Sequence, residues 1–135
     1  MSVAVLTSVG ALKTSPTLVL AADVYTPTVT NSTNTDSAVT TSEAQYLQVG
    51  NTVTVSGRLT ADPTAPGAAS CELSLPIASN IGAAEDVAGV AFSGAIAGQG
   101  AEITGVAAND TAKVAWIAVD LTSQTWSYIF QYQVI

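Results

Sequence analysis

The chain has no histidine and a single cysteine, Cys71, in 135 residues. Those two shortages remove most metal and nucleophile chemistry at once. Zinc, copper and haem sites draw on histidine or on several thiolates, and a serine or cysteine nucleophile needs a neighbouring base, most often histidine. One cysteine cannot form an internal disulfide, and none is needed, because a domain of this size buries roughly two-thirds of its unfolded surface. Basic residues are scarce too: Lys13, Arg58 and Lys113 stand against ten acidic residues, for a formal net charge of −7. Phosphate binding relies on clustered Lys and Arg, so nucleic acid is not an expected partner. No stretch approaches the roughly 18 apolar residues that cross a bilayer, so no membrane partner is expected either.

What is present is 48% hydrophobic and only 10% charged, and much of the remainder is Thr, Ser, Gly, Asn and Gln. A hydroxyl-rich surface of this kind is common on extracellular or particle-surface β proteins. The clearest period lies in residues 45–59, QYLQVGNTVTVSGRL. Val53, Val55 and Leu59 alternate with Thr52, Thr54, Ser56 and Arg58, the pattern of a half-buried strand. Leu47 and Val49 alternate with Tyr46 and Gln48 before it, and Gly50-Asn51 supplies a turn, so the two runs read as a hairpin. A two-residue loop would set Gln48 opposite Val53 and mix polar with apolar residues. A three-residue loop, Gly50 to Thr52, pairs Val49 with Val53 and Leu47 with Val55, and is the register the hydrophobic pattern favours.

Along the chain, residues 1–22 form an apolar segment without clear alternation, and we expect an extended N-terminal arm that packs on a neighbouring subunit. Val3, Val5, Leu6, Leu18, Val19 and Leu20 are its candidate partner contacts. The run LVLAA (residues 18–22) ends like a signal-peptide cleavage site, but there is no basic n-region and Lys13 and Pro16 interrupt the apolar stretch. Residues 23–135 are expected to form the domain. VYTPTVT (residues 24–30) reads as a strand that Pro27 confines to an edge or bulge, and NSTNTDSAVTTS (residues 31–42) as a long loop or exposed hairpin. CELSL (residues 71–75) alternates and is stopped by Pro76; residues 87–97, 101–107, 113–119 and 125–135 are further strands. In the last one Trp126, Tyr128, Phe130 and Tyr132 share a face, and both faces read as partly buried. No segment has a helical period with caps. About eight antiparallel strands with regularly spaced turns predict an all-β fold, a two-sheet β-sandwich or jelly roll.

Catalytic constellations are thinly supplied. Cys71 sits on an alternating apolar face and reads as core, and no motif supports a Ser-Lys pair through Lys13 or Lys113. Glu72, Glu85, Asp86, Glu102 and Asp110 could supply paired carboxylates, but each reads more simply as a solvent-facing or turn residue. No Asp-rich calcium loop surrounds Asp110. We therefore expect neither an enzyme nor a cofactor. Trp116 and the aromatics of the last strand could stack sugars, though alternating aromatics on a strand are more often core or subunit interface. Arg58, a lone arginine on an acidic protein, is a candidate partner contact.

Four pieces in consistent order resemble a β-domain that recurs in structural proteins of tailed bacteriophages: YTPTVTN (residues 25–31), QYLQVGNTVTVSGRL (residues 45–59), ELSLPIASN (residues 72–80) and FQYQVI (residues 130–135). The resemblance implies a virion component with a β-sandwich exposed on a capsid or fibre. With only residues 1–22 ahead of the domain there is too little chain for a fibre shaft. The expectation is a capsid decoration (cement) protein on the outer surface of the head, whose partners are the major capsid protein and its own copies in a homodimer or homotrimer. The alternative is a receptor- or carbohydrate-binding domain of a tail or head fibre.

Overall fold

The computed structural model describes residues 18–36 and 39–135. These form β1 (Leu20–Tyr25), β2 (Val29–Thr33), β3 (Thr40–Thr41), β4 (Ala44–Val49), β5 (Thr52–Ala61), β6 (Gly67–Ser74), β7 (Val87–Ser93), β8 (Gly100–Val106), β9 (Thr111–Ala118) and β10 (Gln124–Gln133), with one 3-10 turn at Ala84–Asp86. All pair antiparallel in one sheet of order β1-β4-β5-β10-β7-β8-β9-β6-β2, and β3 also pairs with β5. The all-β, antiparallel expectation therefore holds.

The sheet is curled. Its end strands β1 and β2 are joined by only residues 26–28, a link that spans at most roughly 14 Å fully extended. The two ends must therefore approach each other. Tyr25 of β1 donates its hydroxyl to the Ser74 carbonyl at the end of β6 at 3.2 Å. Ser74 N–H donates to the Thr28 carbonyl at 3.0 Å, and Thr41 Oγ1 donates to the Pro27 carbonyl at 2.7 Å. Pro27 thus sits in the buried crossing between the two ends, where its missing N–H costs no ladder bond. The expected single strand over residues 24–30 is really two strands of opposite ends, broken at the proline.

The curl encloses one core. Alternation places Trp126, Tyr128, Phe130 and Tyr132 of β10 inside, beside Val53, Val55 and Leu59 of β5, Cys71 and Leu73 of β6, Ile103 of β8 and Val114 of β9. Burying each large apolar side chain is worth about 1.5–3 kcal/mol. β10 is the central strand, paired over its length with β5 and over seven positions with β7. Its rings pack in series, Tyr128 on Phe130 at 6.0 Å and Phe130 on Tyr132 at 6.3 Å between centroids. Space for Phe130 comes from its β7 neighbour Gly89, where a Cβ would collide with the backbone and Cβ of Phe130 and the Ile129 carbonyl. The opposite face of β10 is open: Ser127, Ile129, Gln131 and Gln133 are exposed, which corrects the expectation that both faces are partly buried.

The β4–β5 hairpin also departs from expectation. Val49 pairs with Thr52, Gln48 with Val53 and Leu47 with Thr54, so the loop is the two residues Gly50-Asn51. Gly50 takes φ +61 while Asn51 stays out of the left-handed region, the pattern of a type II′ turn. Turn chemistry overrode the hydrophobic pattern. Val53 and Val55 remain core, but Leu47 and Val49 point outward, 46% and 45% exposed. The inward positions of β4 are filled by Ala44, Tyr46 and Gln48. The mispairing that argued against this register is resolved because Gln48 Nε2 donates to the Gly50 carbonyl at 3.0 Å.

Candidate interaction surfaces

The outward side chains of β4 meet those of β1. Leu20 lies opposite Val49, Ala22 opposite Leu47 and Val24 opposite Gln45. Leu18 and Val19, just before β1, are also exposed, and the Val19 carbonyl accepts the Gly50 N–H at 2.7 Å, which ties this segment to the hairpin tip. The result is one continuous apolar strip, with an open groove of about 540 Å³ beside it along Ala22, Val24, Gln45, Leu47, Thr54 and Ser56. β1 is an end strand, paired on one side only among the described residues. It carries no lysine or proline, and its one charged residue, Asp23, accepts the Val24 N–H at 2.8 Å and so occupies one backbone donor.

The predicted contacts divide accordingly. Leu18 and Leu20 fall in this strip, Val19 is exposed but alternates to the other face of the ladder, and residues 20–22 belong to β1 of the sheet. Val3, Val5 and Leu6 lie outside the described residues. Arg58 is elsewhere, exposed on the outward face of β5 and opposite Ser127 of β10. It lies four residues, about 13 Å, along the strand from Thr54. Sequence reasoning missed Leu47, Val49 and Val24 as surface residues. The signal was the glycine at the first loop position, which favours the two-residue turn.

Groups capable of chemistry are mostly occupied. Cys71 is fully buried, and burial, with Glu72 beside it, pushes its thiol up to about 12. Glu72 is buried on the outward side of β6, contrary to the expected solvent-facing position. Its Oε2 accepts from Thr111 Oγ1 at 2.7 Å, Asn109 Nδ2 at 2.9 Å and Asn31 Nδ2 at 3.1 Å. Burial alone would raise its pKa, but these bonds and the Lys113 charge outweigh it and hold the carboxyl below the usual range. Asn31 reaches it from a left-handed conformation, φ +48, where β2 bulges against β6. Asp86 Oδ2 accepts the Gly82 and Ala83 N–H groups, and Asp110 Oδ1 accepts that of Ile81. These three acids are structural clasps. No cluster of three metal-ligating acids or thiols occurs among the described residues.

The aromatics weighed as a sugar shelf, Trp116, Trp126, Tyr128, Phe130 and Tyr132, are all buried. Family models, curated proteins and solved structures give no match to this chain.

Proposed function

We propose that this chain is a capsid decoration protein of a tailed bacteriophage, standing on the outer surface of the head and bridging shell subunits and its own copies. The observation that carries the reading is the apolar strip on an edge strand: Leu18, Val24, Leu47 and Val49 are each about half exposed on β1, β4 and the segment before them. Contiguous exposed apolar surface marks association sites, and an unpaired antiparallel edge can add a strand from a neighbour. The four-part sequence resemblance supplies the setting. In this reading the curled sheet works as a two-layer sandwich or jelly roll, with β1-β4-β5-β10-β7 laid over β8-β9-β6-β2.

Particles carrying the protein and particles stripped of it are to be compared by thermal release of their genome and by osmotic shock. Loss of stability on stripping, restored by adding back the wild-type protein but not a Leu47→Asp/Val49→Asp variant, supports the proposal. Equal stability with and without the protein sinks it.

A further inference from the structure

A second apolar surface lies on the outward faces of β7, β8 and β9, apart from the β1–β4 strip. Phe92 is 61% exposed and pairs with Gly100 of β8, and its ring leans over that glycine, 3.6 Å from where a Cβ would stand. Two residues on from the β8–β9 pair Glu102–Ala115, Gly100 comes beside Ile117, which is 60% exposed and pairs with Ala68 of β6. One outward row across β7, β8, β9 and β6 therefore reads Phe92, Gly100, Ile117, Ala68. The row beside it reads Val90, Glu102, Ala115, Ser70. Val90 is half exposed, as is its β10 neighbour Ile129. Where the rows reach β9 and β6 they border an open groove of about 440 Å³, lined by Thr33, Ala68, Ser70, Glu102, Ala115 and Ile117 among others.

We infer that this face is a two-fold interface between two copies of the chain. The rows carry the inference, because each is complementary to its own reversal. Rotation about an axis running along the strands between β8 and β9 lays β7 over β6 of the second copy and β8 over its β9. Phe92 then stands over Ala68 of the second copy, Ile117 over Gly100, Val90 over Ser70 and Glu102 over Ala115. Every large side chain meets a small one, and a two-fold contact makes each of these meetings twice. The lean of the Phe92 ring towards β9 sets it in the groove between Ile117 and Ala68 of the second copy. Sheets stacked face to face lie about 10 Å apart, a gap that one large side chain opposite a small one fills. Charge agrees with shape. Lys113 is the next outward residue to Ala115 on β9, so Glu102 of each copy comes beside a cation of the other, which fixes the register. A peptide strand has no place here, since β7, β8 and β9 are each paired on both sides. The interface does not depend on the decoration reading, which rests on β1 and β4.

The test is sedimentation equilibrium of the full chain carrying Leu47→Asp/Val49→Asp, which silences the β1–β4 strip and leaves this face alone. We expect a monomer–dimer equilibrium with a dissociation constant of order 10–100 μM. Phe92→Asp should weaken it by about 30-fold or more, and Glu102→Lys, which faces Lys113 of the second copy with a like charge, by about fivefold. Phe92→Ala and Ala68→Phe should each weaken it about tenfold, while the double variant should return to within about threefold of the starting protein. In the double variant the ring and the methyl trade places across the axis. All these side chains are exposed in the monomer, so circular dichroism melts should confirm that each variant is folded. A monomer up to about 1 mM in this background, even if the wild type dimerises through its β1–β4 strip, would overturn the inference. So would a dimer indifferent to Phe92→Asp, or a double variant no better than its parents.

Discussion

Replacing Gly89 by alanine should be among the most damaging single-methyl changes in the protein. The added Cβ would lie 2.7 Å from Phe130 Cα and closer still to Phe130 Cβ and the Ile129 carbonyl. Two of those three atoms are backbone, so no rotamer change relieves the contact. β7 must move away from β10 by several tenths of an ångström or more, inside a seven-pair ladder. Overpacking of this kind costs about 1–3 kcal/mol, and the rigid neighbour puts this case at about 3. The usual gain from removing a strand glycine, about 0.5–1 kcal/mol, offsets only part of it. An unfolding entropy of about 2.1 cal/mol/K per residue over 135 residues is about 0.28 kcal/mol/K. A net cost of 2–2.5 kcal/mol therefore lowers the melting temperature by about 7–9 °C. Gly100→Ala is the control, because its Cβ would sit 3.6 Å from the Phe92 ring in ordinary contact. Differential scanning calorimetry of both variants decides. A Gly89→Ala melting point within about 2 °C of wild type, or equal losses in the two variants, refutes the packing argument.

The hairpin register makes Leu47→Asp nearly neutral in urea unfolding of the isolated chain, within about 1 kcal/mol, whereas Val55→Asp, at 0% exposure, should prevent folding. Glu72→Gln should cost about 1–3 kcal/mol by weakening three hydrogen bonds to one oxygen. It should also flatten the acid limb: a folded-state pKa below the unfolded value gives stability that is present above about pH 4.3 and lost as pH falls. On the alkaline side, burial pushes Cys71, Tyr128 and Tyr132 up to about 12. The unfolded chain then releases these protons first, so stability is full below about pH 8.5 and falls steadily towards pH 12. A flat urea midpoint between pH 8 and 11 would contradict this. Tyr132→Phe removes a hydroxyl that donates to the Ile77 carbonyl at 2.7 Å and accepts the Ile77 N–H at 3.1 Å, and should lower stability by about 1–3 kcal/mol in the same assay.

The shared face of the β10 aromatics was legible in the sequence because they repeat with period two, but the openness of the other face was not, because Ile129 lies on it. Val53, Val55 and Leu59 were legible for the same reason. The neighbouring β4 was not. Its apolar pair, Leu47 and Val49, faces out, while its inner face holds Ala44, Tyr46 and Gln48. A face-by-hydrophobicity argument fails when the apolar residues are themselves surface. Phe92 escaped notice because VAGVAFSGAIA has apolar residues on both faces, and only pairing with Ser127 and Gly100 shows which one is open. Glu72 was read as solvent-facing because its three donors come from residues 31, 109 and 111, distant in sequence from it. The crossing at Pro27 is likewise a long-range fact, fixed by where β6 lies.

That apolar strip on β1 and β4 carries the functional proposal, and the copy number of the protein per purified particle tests it most directly. Quantitative mass spectrometry against the major capsid protein should give hundreds of copies, and Leu47→Asp/Val49→Asp should reduce them sharply. A handful of copies, or none, would contradict a role on the head.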